Sequence, residues 1–170
     1  MVNLPTKDIE EFNKIIEDIL QNETVQQMNL YRQHYDTSCF DHCYEVAYFS
    51  FRICKKFNLD YKSAARAGML HDLFLYDWRK KQDGRKGLHA FRHPRIALNN
   101  SLKIFNLNKR EQDIILKHMW PLTIIPPKYF EGYIISTMDK YCALRESYYH
   151  YARFFLKKKD LGYDLVSSKK

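Results

Sequence analysis

Six side chains of metal-ligand type recur along this chain: His42, His71, Asp72, His93, His118 and Asp139. Apart from the adjacent pair, successive members lie roughly 20 to 30 residues apart, one helix plus one connection, so consecutive helices can each bring a ligand to a common centre as bundle metal sites do. Imidazole offers a cation one nitrogen. A carboxylate offers two oxygens and can bridge two cations about 3.5 to 4 Å apart, which makes Asp72 the candidate bridge and the candidate catalytic residue. His71 and Asp72 diverge by about 100° on a helix yet can still flank one cation or two neighbouring ones. A lone helical histidine is more often a hydrogen-bonded core or surface residue, and it is the recurrence at one-helix spacing that sets these apart. Such ligands suit iron, manganese, zinc, cobalt or nickel better than calcium or magnesium.

Two cations would lower the pKa of a bridging water towards neutrality, giving a hydroxide nucleophile, and would neutralise charge on a bound phosphate. Candidate grips for phosphate oxygens are Arg79, Lys80 and Lys81 after the His71-Asp72 pair, Arg92 and Arg95 around His93, and Lys140 beside Asp139. Any single one of them can equally be solvated surface. His34, shortly before the first ligand-bearing helix, is a candidate substrate contact. His89 would compete with His93 as a ligand if their helix began earlier, but Pro94 favours a start at His93, since proline suits the first helical position. His150, in a Tyr-rich stretch, is read as structural.

The elements that must position these residues are helical almost throughout, because apolar residues recur three and four apart. Leu4-Pro5-Thr6-Lys7 starts a first helix, with a stripe of Ile9, Phe12, Ile15, Ile16 and Ile19 that continues towards Met28. Ser38, with Asp41 three residues on, predicts a capped second helix to about Phe57. Asn58-Leu59-Asp60 breaks the pattern, and a third helix from Lys62 leads into His71-Asp72. The stretch 77–88 reads as a basic loop with Asp83-Gly84 and Gly87. A fourth helix starts at His93-Pro94 and ends near Phe105, and Asn108 with Glu111 caps a fifth that carries His118 before Pro121 stops it. Pro126-Pro127 opens another through Cys142, a closing helix covers Tyr148 to Lys157, and the remainder from Gly162 frays. The expectation is an all-α, compact single-domain helical bundle over residues 1–160, its ligand-bearing core at about 38–145, with a flexible basic tail at 161–170.

The net charge of +8 concentrates anions, whether phosphorylated metabolites or nucleic acid, and does not choose between them. Much of it lies in Lys157-Lys158-Lys159 and Lys169-Lys170, which read as solvated tail. With no helix-turn-helix and no aromatic-basic motif, the expected partner is a small phosphorylated substrate rather than nucleic acid. No stretch approaches the roughly 18 to 20 apolar residues of a membrane span and the start lacks a charged-then-apolar leader, so no membrane partner and a cytoplasmic location are expected. Cys39, Cys43, Cys54 and Cys142 are expected as reduced thiols, with Cys39 and Cys43 a buried pair on one helix face rather than zinc ligands.

The segment Gly68-Met69-Leu70-His71-Asp72, with His42 upstream and Asp139-Lys140 downstream, resembles the HD superfamily, named for its His-Asp pair; the resemblance spans Asp41 to Lys140. His93-Pro94 and His118 resemble the additional histidines of its two-metal branch, which includes HD-GYP phosphodiesterases and mixed-valent di-iron oxygenases. The resemblance implies one ion on His42, His71, Asp72 and Asp139 and a second on Asp72, His93 and His118. Leu73-Phe74-Leu75 stands where HD-GYP proteins carry Ile-Gly-Lys, and no Gly-Tyr-Pro follows His118, so cyclic-dinucleotide hydrolysis is not expected. Leu75-Tyr76-Asp77-Trp78-Arg79 and His118-Met119-Trp120-Pro121-Leu122 resemble a small bacterial HD subgroup without supplying a substrate. The activity implied is a metal-dependent phosphohydrolase acting on a small phosphomonoester or phosphodiester, a nucleotide among the candidates, with two divalent transition-metal ions, iron or manganese first. The same ligands activate dioxygen in related folds, so a di-iron oxygenase is the alternative. A non-catalytic nucleotide-binding module is a third reading, against which stands the complete ligand set.

Overall fold

Three helix starts follow from short side chains that satisfy the free amides of a first turn. Ser38 Oγ accepts from the Asp41 amide at 3.0 Å and opens α4 (Cys39–Lys56), while Asp60 Oδ1 accepts from the Ser63 amide at 3.0 Å and opens α5 (Tyr61–Leu70). Asn108 and Glu111 form a complete capping box at the head of α7 (Lys109–Lys117). Between α4 and α5 the chain reverses at Asn58, whose φ of 54° is left-handed. The Asn58 amide donates to Lys55 O and the Leu59 amide to Cys54 O, the paired bonds that close a helix with a left-handed residue just past its end.

The computed structural model describes the backbone of residues 6–80 and 88–167 and the side chains of 7–80 and 88–153. It is an all-α single-domain fold whose centre is the α4–α5 pair. The α8 helix (Phe130–Ser167) packs across α4, α7 packs on α5, and α6 (His89–Ile104) packs on α7. Gly68 lets α4 and α5 close, since a Cβ there would lie 2.7 Å from Ala47 Cα. The N-terminal stripe is buried as expected at Phe12, Ile16, Ile19, Val25 and Met28. Its backbone, however, is divided into α1 (Thr6–Ile15), α2 (Glu17–Leu20), α3 (Glu23–Gln26) and a 3-10 turn Gln27–Leu30 rather than one helix. Asn22 makes the break between α2 and α3 by accepting from the Thr24 and Val25 amides.

Three further departures bear on the site. Residues 32–38 form a small antiparallel hairpin, β1 (Arg32–His34) with β2 (Thr37–Ser38), turning at Tyr35 with φ 48°. The α6 helix begins at His89, so Pro94 lies inside it rather than at its start. Stacking of Trp78 on His89 and of His89 on His93, with centroids 5.3 and 4.6 Å apart, supports that extra turn. The expected last two helices are one, α8, which continues to Ser167, past Gly162. Thr137 and Ser147, which could have broken it, bond back to the carbonyls of Tyr133 and Ala143 within the helix. Among the described residues no helix is long and apolar enough to cross a membrane. All four cysteines are buried and none is in a disulfide.

Candidate metal centre

The six ligand candidates meet at one place, each delivered by a different turn of structure. His42 lies in the first turns of α4, His71 caps α5, and Asp72 follows it in a tight turn. That turn is held by buried Leu73 and Phe74, by Cys39 Sγ donating to Asp72 O, and by Asn100 Nδ2 donating to Leu73 O at 2.9 Å. His93 comes from α6, His118 caps α7, and Asp139 comes from α8. His89 and His93 share α6, yet it is His93 that reaches the cluster. His89 instead stacks on Trp78 and meets the Tyr76 hydroxyl.

Asp72 faces different histidines with its two oxygens. Oδ1 lies 3.1 Å from His93 Nε2 and 3.4 Å from His118 Nε2, whereas Oδ2 lies 3.6 Å from His71 Nε2. Asp139 Oδ1 lies 3.1 Å from His42 Nε2 and 3.8 Å from His71 Nε2. Donors about 2.0 to 2.2 Å from one ion sit about 3 to 3.5 Å from each other, the spacing of three of these pairs, while the two His71 distances are slightly wider. The groups His42–His71–Asp72, His71–His118–Asp139 and Asp72–His93–His118 each have ligand atoms within 4.8 Å of one another, so they could hold metal.

The other ring nitrogens fix the tautomers. The Nδ1 atoms of His71, His93 and His118 face the carbonyls of Gly68, His89 and Ile115 at 2.7, 3.0 and 2.8 Å. A carbonyl only accepts, so Nδ1 carries a proton and Nε2 is the nitrogen left to face the cluster. His42 Nδ1 does the same with Glu146 Oε1 at 2.9 Å. Consequently two Nε2 atoms, of His93 and His118, confront each other at 2.8 Å, an arrangement that needs a proton or a cation between them. His71 Nε2 and Asp72 Oδ1 are buried with no hydrogen-bond partner, a cost of about 1–3 kcal/mol each that coordination would remove. The donor set thus fits transition-metal ions.

Electrostatics in the metal-free chain agree. Burial would lower the His42 pKa, but hydrogen bonds to Asp139 and Glu146 outweigh it and raise it well above the ordinary value. His71 is raised in the same way, burial being outweighed by Cys43, Asp72 and Asp139. Burial would raise Asp72, yet His71, His93 and His118 hold it well below the usual carboxylate range, and Asp139 is held down likewise by His42 and His71. His118 is lowered by burial, which Asp72 does not offset.

A cavity of about 660 Å3 adjoins the cluster and takes in Asp72, His93 and Asp139. Of the proposed substrate contacts it includes His34 and Lys140. Lys140 is half-buried, donates to Ser136 O at 2.9 Å, and has its pKa lowered by burial against the pull of Asp139. The remaining basic candidates lie elsewhere. Arg79 is held by Asp77 at 3.1 Å in its own loop, and Lys80, Arg92 and Arg95 are exposed and off the cavity lining. The sequence pattern could not distinguish a basic residue near the site in sequence from one facing it. Lys81 falls outside the described residues. His150 stacks on Tyr35 at 4.2 Å and steadies the hairpin tip.

Two contributors escaped the sequence reading. Glu146 orients His42, and its signal was available, because it follows Asp139 by two helical turns and so shares its face. Gln33 donates to Asp72 Oδ2 at 2.5 Å from a hairpin that has no Gly-containing turn signature to announce it. The chain matches no protein-family model, no curated protein and no solved structure.

Proposed function

We propose that the cluster is a two-ion centre and the chain a metal-dependent hydrolase of small phosphate esters, of the HD-superfamily type its sequence resembles. The observation that carries the reading is Asp72, which turns Oδ1 to His93 and His118 and Oδ2 to His71. One carboxylate facing two sets of nitrogen donors is what a bridging ligand requires. His42, His71 and Asp139 would complete the first position, and His93 and His118 the second. The mixed nitrogen and oxygen donors favour iron or manganese. Ions held there supply Lewis acidity towards a phosphoryl oxygen and acidify water.

The chain's own residues divide the remaining work. Glu146 and the carbonyls of Gly68, His89 and Ile115 lock the ring orientations, which makes the donors rigid before any ion arrives. Gln33 holds Asp72 Oδ2 from the side of the hairpin. Lys140 supplies a cation at the cavity for a phosphate oxygen. The test is a phosphate-release screen over phosphomonoesters and phosphodiesters with iron- or manganese-loaded protein, run beside an oxygen electrode. Phosphate release by wild type and its loss in Asp72→Ala are expected. Dioxygen consumption without phosphate release would overturn the hydrolase in favour of a di-iron oxygenase on the same ligands.

A further inference from the structure

The cavity beside the cluster has a mixed lining. Asp72, His93 and Asp139 contribute to it, with Lys140 the one Lys or Arg among the described lining residues. The rest is largely hydrocarbon and aromatic, with Trp78, Leu88, Phe91, Met119 and Leu122 beside the polar side chains of Gln33, His34 and His89. Leu88, Phe91 and Leu122 are 72%, 52% and 49% exposed, a concentration of apolar surface at a cavity mouth that folding alone does not require. A volume of about 660 Å3 lies within the usual range for small-molecule sites, about 300 to 1,000 Å3.

These walls discriminate between phosphorylated ligands. A nucleotide would bring several ribose hydroxyls and base edges to a lining whose further polar side chains are Gln33, His34 and His89, the first engaged with Asp72 and the last with Tyr76, so most of those groups would leave water without a partner. A second or third phosphate would need cations beyond Lys140, and among the described residues Arg79, Arg92 and Arg95 are off the lining. An apolar group gains from the same surfaces by leaving water.

We propose that the site takes a small, soluble phosphate monoester of an apolar alcohol, an alkyl or aryl monophosphate. Its phosphate lies at the ligand cluster and Lys140, and its hydrocarbon lies against Phe91, Met119 and Leu122. This rests on the hydrolase reading. In the reaction a water oxygen bonds to phosphorus, the bond from phosphorus to the alcohol oxygen breaks, and one water proton passes to that oxygen, leaving the alcohol and inorganic phosphate.

The test is calorimetric titration of metal-loaded protein with non-hydrolysable methyl-, butyl- and hexylphosphonate, and with adenosine monophosphate for comparison. Kd is expected to fall about fourfold for each buried methylene, with adenosine monophosphate weaker than hexylphosphonate. Phe91→Ser and Leu122→Ser, both half-exposed and so tolerable to the fold, should flatten that series. Lys140→Met should weaken every phosphonate by a common factor of about ten or more and leave the slope intact. Equal affinities for methyl- and hexylphosphonate, or tighter binding of adenosine monophosphate, would overturn the apolar substrate. If metal-loaded protein also releases phosphate whatever the alcohol, only the substrate class fails. A steep chain-length series in a protein that releases no phosphate from any ester would instead overturn the hydrolase reading and keep the apolar recognition.

Discussion

Replacing Gly68 with alanine sets two well-known effects against each other at the contact that brings His71 to the site. The added Cβ would lie 2.7 Å from Ala47 Cα, 3.1 Å from Ala47 Cβ and 3.3 Å from Ala47 N. Comfortable carbon contacts are about 3.5 to 4.0 Å, so the helices must part by roughly 1 Å, and no rotamer change can relieve a clash with backbone. Overpacking of this kind costs about 1–3 kcal/mol, while alanine gains about 1 kcal/mol over glycine within a helix. Because the obstacle is backbone, the clash sits towards the upper part of its range, and Gly68→Ala should destabilise by about 1–2 kcal/mol. For a chain of this size that is a melting temperature lower by about 2–8 °C, measured in chelator so that metal does not mask it. Since the Gly68 carbonyl also holds His71 Nδ1 at 2.7 Å, metal affinity should fall with stability. A Gly68→Ala protein as stable as wild type or more so would mean that helix propensity wins and that α4 and α5 are not in the close contact on which the placement of His71 depends.

Asn58→Ala should cost about 1 kcal/mol in denaturant titration, because φ 54° is unfavourable for alanine, and Asn58→Gly should be neutral or stabilising; the opposite order would refute the helix-closing role of that turn. Glu146→Ala should weaken metal binding by about a hundredfold and Glu146→Gln, which keeps an acceptor for His42 Nδ1, by about tenfold, whereas wild-type affinity in both would remove Glu146 from the site. In metal-free protein, the raised pKa values of His42 and His71 contribute stability that is complete below their ordinary value of 6.5 and lost as pH rises through the folded values. The depressed Asp72 and Asp139 contribute above their ordinary 3.8 and lose it as pH falls through theirs. The melting temperature in chelator should therefore decline as pH rises above 6.5, and a rise instead would contradict the ion pairs.

Much of the fold was legible because it is written in local chemistry. Ser38 and Asn108 announced the starts of α4 and α7, and the apolar stripe through Phe12, Ile16 and Ile19 announced a buried face. What periodicity could not reveal was where a stripe is interrupted without changing face, as at Ile16 and Asn22. Pro94 misled for a related reason, since a ring stack among Trp78, His89 and His93 outweighs the preference of proline for a helix start. The hairpin at residues 32–38 lacks glycine in its turn and is too short to show alternation. For the site, the meeting of all six ligand candidates followed from spacing, because five helices or helix ends carry them, with His71 and Asp72 together at the end of α5. Which basic residue lines the cavity was poorly legible, because Arg79, Arg92 and Arg95 are near His71 or His93 in sequence while their helix phase or loop geometry carries them off the lining. Lys140 lines it because α8 turns it, with Asp139, towards that cavity.

In the proposed centre Asp72 joins two metal positions. The decisive measurement is metal content by mass spectrometry of anaerobically purified protein, comparing wild type with His118→Ala and Asp72→Ala. Two equivalents per chain are expected in wild type, one in His118→Ala with its His42–His71–Asp139 position intact, and less than one in Asp72→Ala. One equivalent or none in wild type, or two retained after loss of Asp72, would contradict it.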